Sequence, residues 1–187
     1  MTQNIKYFII TGDPGIGKTT IIQKICSLLN SSGVKTVGFF TEEVRRNRMR
    51  EGFDVISLTG ERGRLARDQN ILTAPTKYSV GKYGVLVQEF ENIALPALKE
   101  CDDKSLLVID EIGKMELFSS SFKLRIKEFF STESKNIVLA TIPSRKGDPI
   151  IESIRNNNKT KIWMITREKR NIIHEKIFND VKSVIHI

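Results

Sequence analysis

The stretch Gly12-Asp13-Pro14-Gly15-Ile16-Gly17-Lys18-Thr19 constrains this chain more than any other. It fills the pattern GxxxxGK[ST] completely. An apolar run, Ile5 to Thr11, leads into it, and a segment carrying Ile21, Ile22, Ile25, Leu28 and Leu29 on one helical face leads out. Strand, glycine turn and helix in that order build a concave nest. The glycines let successive backbone N–H groups point inward, and the helix offers its positive end to the same spot. Such a nest holds phosphate. In it, Lys18 is expected to reach the β- and γ-phosphates of a nucleoside triphosphate, and the Thr19 hydroxyl to ligate Mg2+.

The rest of the chain alternates in the way that context demands. The first helix stops at Asn30-Ser31-Ser32-Gly33, and Val34 to Thr41 is a predicted second strand. Phe53 to Leu58 and Arg64 to Arg67 read as an antiparallel hairpin beside a parallel sheet. Tyr78 to Gly84 is ambiguous. Leu86, Phe90, Ile93, Ala94 and Ala97 have helical spacing, with Pro96 expected to kink the helix or start a new turn. Ser105 to Ile109 is a buried strand, and Phe122, Ile126, Phe129 and Phe130 mark a helix. Then come a strand over Asn136 to Thr141, a short helix over Pro149 to Arg155, a strand over Lys161 to Ile165 and a closing helix over Glu168 to Ile185. The fold class that follows is a three-layer α/β/α sandwich of the P-loop type. Its sheet is mostly parallel with an inserted antiparallel hairpin, in a single domain spanning 1–187.

A second acidic signal gains force from the first. Leu106-Leu107-Val108-Ile109-Asp110-Glu111 delivers two carboxylates at the carboxyl end of a buried strand, where sheets of this type place their ligands. Asp110 is expected to hold Mg2+ through water. Glu111 is expected to orient an attacking water or take its proton, which phosphate binding alone would not need. An arginine is expected to steady the charge on the transferring phosphoryl group, with Arg45, Arg46, Arg145 and Arg155 as candidates. For any one of these, taken alone, a solvated surface arginine is the stronger reading. Asn158-Lys159-Thr160-Lys161 comes near the guanine-reading NKxD pattern but has Lys161 where aspartate is required. Trp163 lies in a predicted strand and reads as core.

Composition narrows the partners. The chain has 187 residues and a formal net charge of +8, part of it in Arg45, Arg46, Arg48, Arg50, Arg62, Arg64 and Arg67. That charge suits anionic nucleotides, nucleic acid or a solvated basic face. No recognisable nucleic-acid motif accompanies it, and aromatics are 7 %, little for a stacking platform. Cys26 and Cys101 form no metal spacing and read as buried free thiols, while His174 and His186 are too few for a metal cage. No apolar run is long enough for a membrane span or a signal peptide, so a cytoplasmic location is expected.

The chain resembles the small P-loop nucleoside-triphosphatases known from thermophilic prokaryotes and, in vertebrates, as cancer-related nucleoside-triphosphatase. The segments that carry the likeness run from Gly12 to Thr20, Gly38 to Arg45, Gly52 to Val55, Leu65 to Arg67, Gly81 to Val85 and Val108 to Leu117. Thr141-Ile142-Pro143 and Thr166-Arg167-Glu168 extend it. The resemblance implies a Mg2+-dependent phosphohydrolase releasing phosphate and a nucleoside diphosphate, with loose base preference. It also implies two nucleotide-binding segments: Gly12, Asp13, Pro14, Gly15, Ile16, Gly17, Lys18, Thr19 and Thr20, and then Leu106, Leu107, Val108, Ile109, Asp110, Glu111, Ile112 and Gly113. Lys169 stands where the family often has asparagine. Two other readings of the residues stay open: a nucleoside or small-molecule kinase with the same phosphate grip, and a nucleotide-gated nucleic-acid-binding protein.

Overall fold

The computed structural model describes residues 4–99, 101–102 and 104–185. In chain order the elements are β1 (Tyr7–Gly12), α1 (Lys18–Ser31), β2 (Lys35–Arg46), β3 (Met49–Ser57), β4 (Arg62–Asp68), β5 (Tyr78–Val80), β6 (Tyr83–Val85), α2 (Val87–Ala97), β7 (Ser105–Ile109), α3 (Ser120–Phe129), β8 (Ile137–Pro143), α4 (Pro149–Arg155), β9 (Thr160–Met164) and α5 (Ile173–Lys182). Among the described residues the strands form one sheet in the order β5-β6-β4-β3-β2-β7-β8-β1-β9.

Burial explains that order. Every residue of β1 and β7 is buried, as is all of β8 but Pro143, and these apolar strands run parallel at the centre. Helices cover both faces. Tyr7, Ile9, Phe39, Leu107, Ile109, Val138 and Ala140 face Phe90, Phe122, Phe129 and Ile151 of α2, α3 and α4. Phe8, Ile10, Leu106, Val108 and Leu139 face Ile21, Ile22, Ile25 and Leu29 of α1 and Ile177 and Val181 of α5. Trp163 lies in this second layer, stacked on Phe8 at 6.0 Å between ring centres.

The expected architecture holds, with four adjustments. The antiparallel part is larger than one hairpin: β3, β4, β6 and β5 continue the sheet outward from β2, and Tyr78 to Gly84 supplies the last of these pairs. β2 runs on to Arg46, past the expected end at Thr41. Beyond Phe39 it leaves β7 and pairs only with β3, so this half of β2 is an edge strand, where charged residues are tolerated. α5 starts at Ile173, later than the expected Glu168, because Lys169 and Arg170 turn back to hydrogen-bond the Thr166 carbonyl. Pro96 sits in the last turn of α2, which ends one residue later. Cys26 is buried and its thiol is pushed up to about 12 by that burial, whereas Cys101 is only half-buried. The expectation for His186 lies outside the described residues.

Candidate active site

The carboxyl ends of β1, β7 and β8 meet at one place, and each contributes there. β1 ends at Gly12 and the loop to α1 turns through Gly15 and Gly17, at φ 76° and 109°, a region that side chains resist. Gly17 caps α1, so Lys18 and Thr19 stand on its first turn. The loop is pinned by the Ile16 amide, which donates to the Asp13 carbonyl at 3.1 Å. Asp13, Pro14 and Gly15 are exposed on its rim, Thr20 is exposed on the helix, and Lys18 is buried in its floor. The Lys18 ammonium donates to the carbonyls of Gly12 at 2.9 Å and Asp13 at 3.3 Å.

Asp110 follows β7 directly, and its carboxylate is held from two sides. The Thr19 hydroxyl donates to Oδ2 at 2.6 Å and the Thr141 hydroxyl, from β8, donates to Oδ1 at 2.5 Å. The Thr41 main chain on β2 also favours its charged form. The main chain is fastened too: the Asp110 amide donates to the Phe39 carbonyl at 3.1 Å and the Ile112 amide to the Thr141 carbonyl at 2.9 Å. Burial pushes the Asp110 carboxyl above its ordinary range, against the pull of the two threonine hydroxyls, the Thr41 main chain and the Lys18 charge. Leu106, Leu107, Val108 and Ile109 are fully buried in the sheet and deliver Asp110 at its end.

Glu111 leaves the strand through a cis peptide. Enclosure raises its carboxyl and so does Asp110, while Lys18 lowers it, which places Glu111 within the field of the loop's lysine. A third acid lies behind: Glu116, in a 3-10 turn over Glu116–Phe118, is 5 % exposed. Burial and the charge of Glu111 raise its carboxyl well above the usual value.

The arginine candidates part company. Ser144 donates to the Asp13 carboxylate at 3.3 Å, which brings the loop carrying exposed Arg145 against the phosphate loop. Arg155 spends its Nη2 on the Pro143 carbonyl at 2.7 Å and anchors the start of that loop from α4. Arg45 pairs with Glu43 and donates to the Arg48 carbonyl, out on the ribbon. All its neighbours but Arg48 are matched as well: Arg46 with Glu51, Arg50 with Glu43, Arg62 with Glu42 and Asp54, Arg64 with Glu89, and Arg67 with Asp54. A cavity of about 320 Å3 on this wing is lined by Arg46, Arg64 and Arg67, all three already facing carboxylates. Such lacing leaves little free charge for a polyanion.

Comparison with known proteins shows the family. The family described as NTPase matches residues 7–178. The chain belongs to that family. Within the NTPase family, the human cancer-related nucleoside-triphosphatase is 44 % identical over 187 aligned residues, covering 95 % of this chain and 97 % of that protein. The nucleoside-triphosphatase THEP1 of Thermotoga maritima is 40 % identical, covering 95 % and 94 %. The crystal structure of THEP1 from Aquifex aeolicus superposes with a TM-score of 0.83 at 37 % identity, covering 94 % of this chain and 99 % of that one. The solution structure of the human protein gives 0.79 at 42 % identity.

Sequence reasoning about this NTPase brought together Lys18, Thr19, Asp110 and Glu111, and the structure gathers all four. It gave Thr141 and Glu116 no role in the site, although both lie in segments that carry the family resemblance.

Proposed function

We propose that the chain is a Mg2+-dependent nucleoside-triphosphate phosphohydrolase, converting NTP and water to NDP and phosphate with broad base specificity. The observation that carries this reading is the 2.6 Å contact between the first-turn Thr19 hydroxyl and Asp110, with Glu111 next along the chain. The names of the relatives, nucleoside-triphosphatases all, support it.

Mg2+ fits the donor set. The Thr19 hydroxyl and the Asp110 carboxylate are hard oxygens, and a site of this kind completes its shell with water and phosphate oxygens. Among the described residues no cluster of three His, Cys, Asp or Glu competes as a metal cage. A buried carboxyl whose proton is held too tightly is also what a nearby cation would relieve. Bound there, the ion would supply Lewis-acid neutralisation of phosphate charge. The chain's own groups do the rest. Loop amides and Lys18 hold the phosphates, Asp110 and Thr141 keep Thr19 turned to the site, and Glu111 aligns water for in-line attack. Arg145 is the arginine best placed to close over the transferring group, while Arg155 supports its loop. The ion-paired wing weighs against the nucleic-acid reading. The same proposal treats residues 1–187 as one domain acting on free nucleotides in the cytoplasm; among the described residues, no helix is long and apolar enough to cross a membrane.

The test is Glu111→Gln, which keeps shape and removes charge. Triphosphate binding by titration calorimetry should survive, because Lys18, Thr19, Asp110 and the loop amides remain. Phosphate release should fall by about a hundred- to ten-thousandfold. Normal turnover would move the proposal to the kinase reading. For base specificity, kcat/KM values for ATP, GTP, CTP and UTP should lie within about tenfold, since a site that hydrogen-bonds one base edge would separate them by roughly ten-thousandfold.

A further inference from the structure

From Glu111 to Ser119 the chain forms neither strand nor α-helix, only the 3-10 turn over Glu116–Phe118. Such a segment keeps one shape only where its neighbours impose it. The Glu111 carboxyl lies against this segment: a Cβ added to Gly113 would stand 3.0 Å from Glu111 Oε1. Gly113 is tied to the turn in its own right, for the Leu117 amide donates to its carbonyl at 3.0 Å. Whatever fixes the turn therefore fixes the surface on which the Glu111 carboxyl rests. Two contacts from outside do so. The Ser119 hydroxyl donates to the Glu91 carboxylate of α2. The other contact comes from the outer edge of the sheet. Tyr78 of β5 stacks on Phe118, with ring centres 4.6 Å apart and planes 14° from parallel. β5 has β6 as its only strand neighbour, and both rings are half-buried.

We propose that Tyr78 and Phe118 are positioning residues for hydrolysis: their stack clamps the 3-10 turn to the antiparallel wing, and the turn holds the Glu111 carboxyl in its working direction. The proposal rests on the reading of Glu111 as the group that aligns water. Water alignment tolerates little displacement, and a shift of about 1 Å at the reacting groups can cost a hundredfold in rate. Stacked rings suit the task because their preferred geometry fixes tilt as well as distance. Nucleotide affinity has a different origin. Lys18 and Thr19 are carried by β1 and α1, near the opposite edge of the sheet from β5. The clamp therefore acts on turnover and leaves binding alone.

Steady-state phosphate release and calorimetric titration with ATP test this on four variants. Tyr78→Ala removes one ring; its kcat should fall by roughly tenfold or more, with the dissociation constant for ATP unchanged. Tyr78→Phe keeps the ring, and its kcat should stay within about twofold of the unaltered protein. Phe118→Ala should match Tyr78→Ala. The double alanine variant should be no slower than either single one, because both substitutions remove the same contact. Full kcat in Tyr78→Ala would overturn the proposal, as would a Tyr78→Phe protein as slow as the alanine variant. Losses that add in the double variant, or a weakened affinity in place of a slower turnover, would overturn it too. Should Tyr78→Ala fail to fold, Tyr78→Leu keeps apolar volume without a flat ring, and full turnover in that protein would be equally fatal. If Glu111→Gln hydrolyses normally, the reading of Glu111 fails and takes the clamp with it. If Glu111→Gln is slow while Tyr78→Ala is normal, only the clamp fails.

Discussion

Asp110 keeps its carboxylate in a socket assembled from α1, β2 and β8, and that dispersal has a cost that one substitution can measure. Thr141→Val preserves shape in a fully buried position and removes the donor to Oδ1. Of the two threonine hydroxyls that hold Asp110, only Thr19 would remain, leaving the carboxylate free to tilt. Loss of a hydrogen bond to a charged group predicts a fall in kcat/KM of roughly tenfold or more, measured by steady-state phosphate release. The same dispersal explains what could be read from the chain beforehand. Lys18 and Thr19 declare themselves because the phosphate nest is local, with all its parts within eight consecutive residues. Thr141 and Glu116 acquire meaning only when the sheet puts β8 beside β7 and a 3-10 turn behind Glu111. No spacing rule links those positions.

At the level of elements, Phe39 joins the most. It stands in β2 where pairing passes from β7 to β3, and its ring meets Phe90 of α2 at 5.8 Å and Phe122 of α3 at 6.0 Å. Phe39→Ala should cost about 3–5 kcal/mol of stability, the usual result for a fully buried ring, and urea unfolding would show it as a lower midpoint at unchanged slope. Legibility also varied by element, for physical reasons. β7 and α4 were readable to the residue, since one is an unbroken apolar run and the other begins at Asp148-Pro149, with the Asp148 side chain capping the Ile150 amide. The far half of β2 was not, because Glu42, Glu43, Arg45 and Arg46 look like a loop until β3 is laid against them. α5 was overestimated because the residues from Glu168 to Asn171 have helix-forming side chains but no apolar face to bury.

For the whole molecule, the acids at the site make folding stability depend on pH. Asp110, Glu111 and Glu116 all hold their protons more tightly in the fold than in the open chain, mainly through burial. The native state then binds more protons than the unfolded one above the ordinary carboxyl range, so stability falls as pH rises through the folded values. Glu116 is among them, its carboxyl raised well above its ordinary 4.5 chiefly by burial. Glu116→Gln should therefore gain on the unaltered protein as pH rises from that value, by up to about 1.4 kcal/mol per pH unit. Chemical unfolding at a series of pH values would reveal the widening gap, and parallel curves would refute it. The order of the sheet bears on how the molecule comes to exist at all. β1 carries the phosphate loop near the start of the chain, yet Tyr7 stands opposite Val138 on one side and Thr160 on the other. Both edges of this fully buried strand therefore stay bare until most of the chain has left the ribosome. Distant pairings of this kind fold slowly and expose sticky surface meanwhile. The nascent chain is thus at its most vulnerable to aggregation through the very segment that will later grip phosphate, and it becomes an enzyme only when its last strand arrives.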